Sequence, residues 1–179
     1  MAALTSAPVV IRIESPFPWE HLSLAWKWIN EYPERNLDDY GPRTFADFVS
    51  EIYARHAAGE LTWCVYKEGQ PCGIIGYKPW TPHCGTFHGI CFTQSAWGRE
   101  TTATAVKLVL DQLFSGGVQK VSAFFFADNV KINRFLCDLG AVQEGYLEKQ
   151  AMRGGKLIDM VLLAIFLDTG ERRAYANRV

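Results

Sequence analysis

The sequence predicts an α/β fold in which helices flank a mixed, strongly twisted sheet of about seven strands. Short runs rich in β-branched and aromatic residues alternate with longer stretches of helical period. Residues 88–139 follow the order strand, helix, strand, helix, which is typical of α/β proteins. Because 49% of its 179 residues are hydrophobic, the chain can bury a sizeable core, and we expect residues 1–179 to form one domain.

The N-terminal half is predicted to contain a strand, two helices and a hairpin. These elements are a strand over 9–13, helices over 19–31 and 45–58, and hairpin strands over 61–67 and 73–78. Pro33 stops the first helix because it cannot continue the backbone hydrogen bonds. Thr44 is a candidate N-cap for the second helix. Residues 79–85 are interpreted as a loop.

The C-terminal half is predicted to contain two helices and four strands. The elements are a strand over 87–93, a helix from Thr101 that Gly116 closes, a strand over 118–126, a second helix, and hairpin strands over 142–152 and 156–167. In the first of these helices Val106, Val109, Leu110 and Leu113 recur at three- and four-residue spacing, which predicts a buried face. Residues 118–126 are so apolar that we expect a strand buried on both faces.

Composition argues against several classes of partner. A net charge of -1 provides no basic face of the kind that nucleic acids or acidic membranes need. The five cysteines are scattered, mostly inside apolar runs, as buried reduced thiols are. No apolar run reaches membrane-spanning length, and the first ten residues lack the features of a signal peptide. We therefore expect a cytoplasmic protein that binds neither nucleic acid nor membrane.

A strand that leads directly into a helix makes residues 97–102 a candidate anion site, because unpaired N–H groups and the helix dipole favour negative charge there. This strand, turn and helix resemble the core of the GCN5-related N-acetyltransferases, which hold the pyrophosphate of acetyl-coenzyme A in this way. The run ADNVKINRFLCDLGAVQEG resembles the family's second signature. The matching positions are Asn129, Leu139, Gly140, Glu144 and Gly145. A Gly-Lys turn before Asp159 is similar to the branch that acetylates ribosomal-protein N-termini.

The resemblance covers nearly the whole chain and implies a site for acetyl-CoA. The expected cofactor-binding residues are Ile90, Cys91, Phe92, Trp97, Gly98, Arg99, Thr101, Thr102 and Asn129. The pyrophosphate is expected at the N–H groups of residues 98–102 with Arg99 nearby, and the pantetheine arm near Asn129. The first two helices and the segment that joins them are expected to form one wall of the acceptor cleft.

The chain departs from the family pattern at the phosphate turn. Trp97, Glu100 and Thr102 stand where the family has Arg or Gln, then Gly, then Gly or Ala. Small residues let the backbone approach the pyrophosphate, so Glu100 either turns outward or weakens the site. On the second helix, Leu136 and Ile132 replace the family's usual Tyr and Ser, which leaves no standard acid there.

His88 is the candidate general base. In the resembling family its strand faces the acetyl group, and imidazole titrates near neutrality. The alternative is a core histidine satisfied by the backbone. A zinc site that includes His88 and Cys91 is disfavoured because strand alternation sends them to opposite faces. Cys91 is better interpreted as a small buried hydrophobe than as a nucleophile. Glu144 and Asp159 are further carboxylate candidates.

Two functions follow from these observations. One is an N-acyltransferase that moves an acetyl group from acetyl-CoA to a small-molecule or peptide amine. This reaction needs mainly positioning, a base or water path, and stabilisation of an oxyanion. The other is a catalytically degenerate domain that serves as an interaction or structural module, which the altered phosphate turn favours. Neither the acceptor nor the oligomeric state, for which a homodimer stays open, follows from the sequence.

Overall fold

A computed structural model describes residues 9–33, 38–97 and 99–167, with Arg99 described by its backbone only. The elements are β1 (Ile11–Glu14), α1 (Leu22–Glu31), α2 (Phe45–Ala57), β2 (Leu61–Lys67), β3 (Gln70–Thr81), β4 (Cys84–Phe92), α3 (Arg99–Ser115), β5 (Lys120–Phe126), α4 (Val130–Asp138), β6 (Val142–Arg153) and β7 (Lys156–Phe166). The predicted element order is confirmed. Across these described ranges, no helix is both long and apolar enough to cross a membrane.

All seven strands form one sheet in the order β1-β2-β3-β4-β5-β7-β6. At its centre β4 and β5 run parallel, whereas the pairs on either side are antiparallel. The parallel pair requires a crossover connection, which α3 provides. The mixed α/β fold predicted from the sequence is therefore confirmed.

Helices cover both faces of this sheet. The pair α1 and α2 packs on one face, in an apolar cluster that includes Trp28, Phe48 and Ile74. Helices α3 and α4 pack on the other, where Val106 and Leu136 are buried. The N-cap prediction for α2 is confirmed, because the Thr44 side chain accepts from the N–H of Asp47 in a reciprocal capping box.

Two predictions about strands are wrong. Residues 79–85 are not a loop, because the β3–β4 hairpin continues to a Thr81–Cys84 pair. The Thr81 hydroxyl accepts from the N–H groups of His83 and Cys84, which satisfies these donors in the tight turn. Strand β5 is buried only in its first half, and Phe124 in its second half is 36% exposed. The reason is that this second half borders a gap in the sheet.

Candidate active site

The centre of the sheet opens between β4 and β5. Their parallel pairing begins at Cys84 and Lys120 and stops at Phe87 and Ala123. Both strands nevertheless continue, β4 to Phe92 and β5 to Phe126. The second halves of the two strands therefore diverge and do not pair with each other, so a ligand that lies between them can bond to their backbones.

A β-bulge at His88 marks the start of this divergence. Gly76 pairs with Gly89, but the next residue, Tyr77, pairs with Phe87, so His88 has no partner on β3. The imidazole lies over Gly76, where a Cβ atom would be 2.3 Å from His88 Cε1. Glycine is required at this close approach.

The bulge also places His88 and Cys91 on one face of the sheet. Gly76 and Ile74 share a face because they are two residues apart in a regular stretch of β3. Ile74 packs in the same cluster as Cys91. The prediction of opposite faces is wrong, since simple alternation does not allow for the extra residue of a bulge. Within the described part of the chain, no group of three or more His, Cys, Asp or Glu side chains could hold a metal ion.

Two cavities flank the gap. The α2-side cavity has a volume of about 290 Å³ and lies between α2, β4 and the chain segment that precedes α2. The α4-side cavity has a volume of about 660 Å³ and lies between β4, the turn before α3, and α4. The residues that line both are Ile90, Cys91, Phe125 and Asn129. The cavities thus meet where β4 and β5 separate.

Most of the predicted cofactor-binding residues lie on the α4-side cavity. They are Ile90, Cys91, Phe92, Trp97, Thr102 and Asn129. Thr101 is buried instead, at 5% exposure. Gly98 and the Arg99 side chain lie outside the described structure. Glu100 is exposed and does not line the cavity. Of the two alternatives for this residue, the structure therefore has the one in which Glu100 turns outward.

The α4-side cavity also contains residues that sequence reasoning missed. Lys131 and Arg134 line it from α4. They are three residues apart and follow Asn129 closely, which is a signal that could have indicated them. Tyr32 approaches Trp97 with 4.9 Å between ring centroids. The Trp97 indole donates to the carbonyl oxygen of Phe92 at 2.8 Å, which fixes the ring at the cavity edge.

His88 belongs to a charged cluster at the α2-side cavity. Arg55 donates to Nδ1 of His88 and also pairs with Glu51. Because a guanidinium can only donate, Nδ1 is the acceptor and Nε2 carries the proton. His88 Nε2 lies 3.2 Å from Oε2 of the buried Glu60. The two atoms are not aligned for a hydrogen bond, and neither has another such partner among the residues described.

Burial, and after it the charge of Arg55, lowers the pKa of His88 to about 4. The imidazole is therefore neutral at pH 7. Burial raises the pKa of Cys91 to about 12, with a smaller contribution from Glu31. Cys91 is consequently a protonated thiol, in agreement with its interpretation as a small buried hydrophobe.

The two further carboxylate candidates lie away from both cavities. The Glu144 carboxylate is 2.6 Å from Lys120 Nζ. Asp159 accepts from the Tyr146 hydroxyl and from the N–H of Lys149, both at 2.7 Å. Neither residue lines the α2-side or the α4-side cavity. These side chains stabilise the β5–β7–β6 part of the sheet.

A gap between central strands, bordered by a cavity on each side, is an arrangement that lets two ligands meet at one point. The family model described as acetyltransferase (GNAT) family matches residues 22–141, well over half of the chain. The chain therefore belongs to the GNAT acetyltransferase family. Membership makes it an acetyl-CoA-dependent N-acetyltransferase, which confirms the function predicted from the resemblance.

Several solved structures share this fold. A ribosomal-protein-alanine N-acetyltransferase from Brucella melitensis has a TM-score of 0.73 at 17% identity, covering 88% of this chain and 99% of that chain. YncA from Salmonella typhimurium, solved with its cofactor acetyl-CoA, has a TM-score of 0.72 at 13% identity, covering 90% and 95%. Spermidine N-acetyltransferase from Vibrio cholerae, in complex with CoA and spermine, has a TM-score of 0.73 at 17% identity, covering 88% and 95%. These identities show a common fold alone. No curated protein sequence is significantly similar to the chain.

Proposed function

We propose that the chain transfers the acetyl group of acetyl-CoA, bound in the α4-side cavity, to a primary amine bound in the α2-side cavity. This assignment rests on the fact that the two cavities meet at Ile90, Cys91, Phe125 and Asn129. Among the residues that the structure describes, this junction is where a thioester in one cavity can meet an amine in the other. The expected pantetheine position near Asn129 agrees with this arrangement.

The α4-side cavity suits a long anionic thioester. The edge of residues 89–92 that does not pair with β3 can bond the amides of an extended pantetheine arm. Lys131 and Arg134 supply positive charge for phosphate groups. The N-terminus of α3, a helix of 17 residues, adds the positive end of a dipole. The phosphate contacts of Gly98 and Arg99 rest on the family resemblance.

The α2-side cavity suits a small amine with an apolar body. Its lining combines aromatic side chains, among them Phe48 and Phe124, with the carboxylates of Asp38 and Glu51. Arg55 neutralises part of this negative charge. A single ammonium group on an aryl or alkyl body fits this balance better than spermine, which is present in the Vibrio cholerae complex. The acceptor is therefore a monoamine in this proposal.

His88 is the base in this proposal. A pKa of about 4 gives its imidazole the strength of a carboxylate. Its Nδ1 can accept the ammonium proton only after Arg55 turns fully to Glu51, with which it already pairs. N–H groups of residues 89–92 stabilise the oxyanion on the thioester carbonyl. The α4 positions 132 and 136 offer no acid, so the leaving thiolate takes its proton from water.

The proposal is tested by titrating the protein with acetyl-CoA in a calorimeter and then assaying acetyl transfer to a panel of amines. Saturable binding, and faster transfer to an arylalkyl monoamine than to spermidine, is the expected result. Absence of binding at millimolar acetyl-CoA would instead favour the structural or interaction module. The cytoplasmic location, the single-domain organisation and a homodimer stay predictions.

A further inference from the structure

The segment before α2 is hydrogen-bonded to the hairpin of β6 and β7. The Asp39 N–H donates to the carbonyl oxygen of Met152 at 2.8 Å. The Asp39 carboxylate accepts from the N–H of Gly154 at 2.9 Å and from that of Gly155 at 2.8 Å. These three bonds hold residues 38–43, which we call the connector, against the turn between β6 and β7.

The turn presents two N–H groups to one carboxylate. Gly154 and Gly155 both have positive φ angles, 58° and 71°, which only glycine adopts easily in succession. Each oxygen of Asp39 takes one of the two N–H groups, and these bonds, with Gly155 the larger cause, lower the pKa of Asp39 from its usual value. The carboxylate therefore stays ionised at neutral pH.

The connector forms part of the wall of the α2-side cavity through Asp38, Gly41 and Pro42. Arg43 donates to the carbonyl oxygen of Asp39 and so closes the connector on itself. On the neighbouring hairpin, Arg153 pairs with Asp128, the residue before Asn129. The β6–β7 turn thus links the connector to the strand end where the cavities meet.

We infer that Asp39 is a positioning residue for the acceptor amine, because its carboxylate keeps the connector wall of the α2-side cavity formed before the amine binds. The inference rests on the proposed function, which assigns this cavity to the acceptor. A ligand binds in proportion to the fraction of molecules whose site is formed. A loosened connector weakens binding of the amine and leaves acetyl-CoA unaffected, since no residue of 38–43 lines the α4-side cavity.

The test compares Asp39→Asn with the wild type and with Asp111→Asn, a matched change on the exposed face of α3. Asparagine keeps the shape of the side chain but has one acceptor oxygen, so one glycine N–H loses its partner. The KM for the amine rises roughly fivefold to tenfold in Asp39→Asn. The kcat and the Kd for acetyl-CoA stay at wild-type values. Asp111→Asn matches the wild type throughout.

A second readout does not depend on activity. Amide hydrogen exchange of Gly154 and Gly155, followed by NMR, accelerates in Asp39→Asn and not in Asp111→Asn. A wild-type KM in a variant with accelerated exchange overturns the inference, because the bonds then exist without positioning the acceptor. If Asp39→Asn weakens acetyl-CoA binding as much as it weakens amine binding, the inference is overturned as well, because Asp39 then has a general structural role. If the wild type transfers no acetyl group to any amine, the proposed function fails, and the inference that rests on it fails as well.

Discussion

The two halves of β4 have similar sequences and different surroundings. Residues 84–87 pair with β3 on one side and β5 on the other, whereas residues 89–92 pair with β3 alone. Strand β5 shows the same contrast, because Val121, Ser122 and Ala123 are buried while the more apolar Phe124 is partly exposed. Phe124 lines the α2-side cavity, where a bound ligand would cover its exposed part. The first half of each strand holds the sheet together, and the second half forms the site.

The largest expected effect comes from His88, which lies at the boundary of the two halves. His88→Ala lowers kcat at least about a hundredfold, because one positioned base typically contributes this factor or more. The Kd for acetyl-CoA stays nearly unchanged. The acidic limb of the wild-type kcat profile lies near pH 4, the pKa of the buried imidazole. Full turnover by well-folded His88→Ala would make the imidazole structural.

Each half of β4 contains one glycine, and substituting the two glycines distinguishes a packed strand edge from an open one. A Cβ at Gly85, in the paired half, would lie 2.3 Å from the buried Tyr77 ring and 2.5 Å from the carbonyl oxygen of Lys78. A Cβ at Gly89, in the open half, would have no atom within 4 Å. Gly85→Ala therefore lowers the free energy of unfolding by about 1–3 kcal/mol.

Gly89→Ala leaves the free energy of unfolding within about 0.5 kcal/mol of the wild type, and it raises the KM for the amine by narrowing the α2-side cavity. Urea denaturation and steady-state kinetics measure the two quantities. Equal destabilisation by the two substitutions would mean that the open half of β4 is packed like the paired half.

The helices and strands, and part of the site, could be predicted from the sequence. The period of α3, the Thr44 cap and the seven strands were predictable because each depends on residues close in the chain. The bulge at His88 was not, since it appears only when β4 is registered against β3. The contacts of Arg55 with His88 and of Asp39 with Gly154 join residues 33 and 115 positions apart, which no local pattern indicates.

The predicted phosphate turn provides a third, smaller effect. Arg99→Glu is expected to weaken acetyl-CoA binding roughly tenfold or more, because the contact that the family resemblance implies with the pyrophosphate would become repulsive. Lys107→Glu is the matched control, since Lys107 is an exposed residue further along the same helix. Calorimetry gives both dissociation constants. Equal weakening by the two reversals would mean that overall charge, and not the N-terminus of α3, determines the affinity.

The smallest expected effect is a pH-dependent change in stability. Between about pH 6.5 and pH 4 the unfolded chain protonates His88 while the folded chain does not, so stability falls as the pH falls through this range. At about pH 5.5 the loss attributable to His88 is about 1 kcal/mol. His88→Gln removes this contribution, and the exposed His56→Gln does not. Denaturation curves at about pH 7.5 and pH 5.5 give the loss in the free energy of unfolding for each protein. Equal losses in the wild type, His88→Gln and His56→Gln would contradict the prediction.

Amide hydrogen exchange along β4, measured by NMR with and without acetyl-CoA, shows whether the cofactor lies on the open half of this strand. Acetyl-CoA is expected to slow exchange at those amides of residues 89–92 that do not donate to β3, and to leave residues 84–87 unchanged because both of their edges are already paired. Protection confined to residues outside 89–92, with acetyl-CoA bound, would contradict the claim that the open half of β4 holds the cofactor.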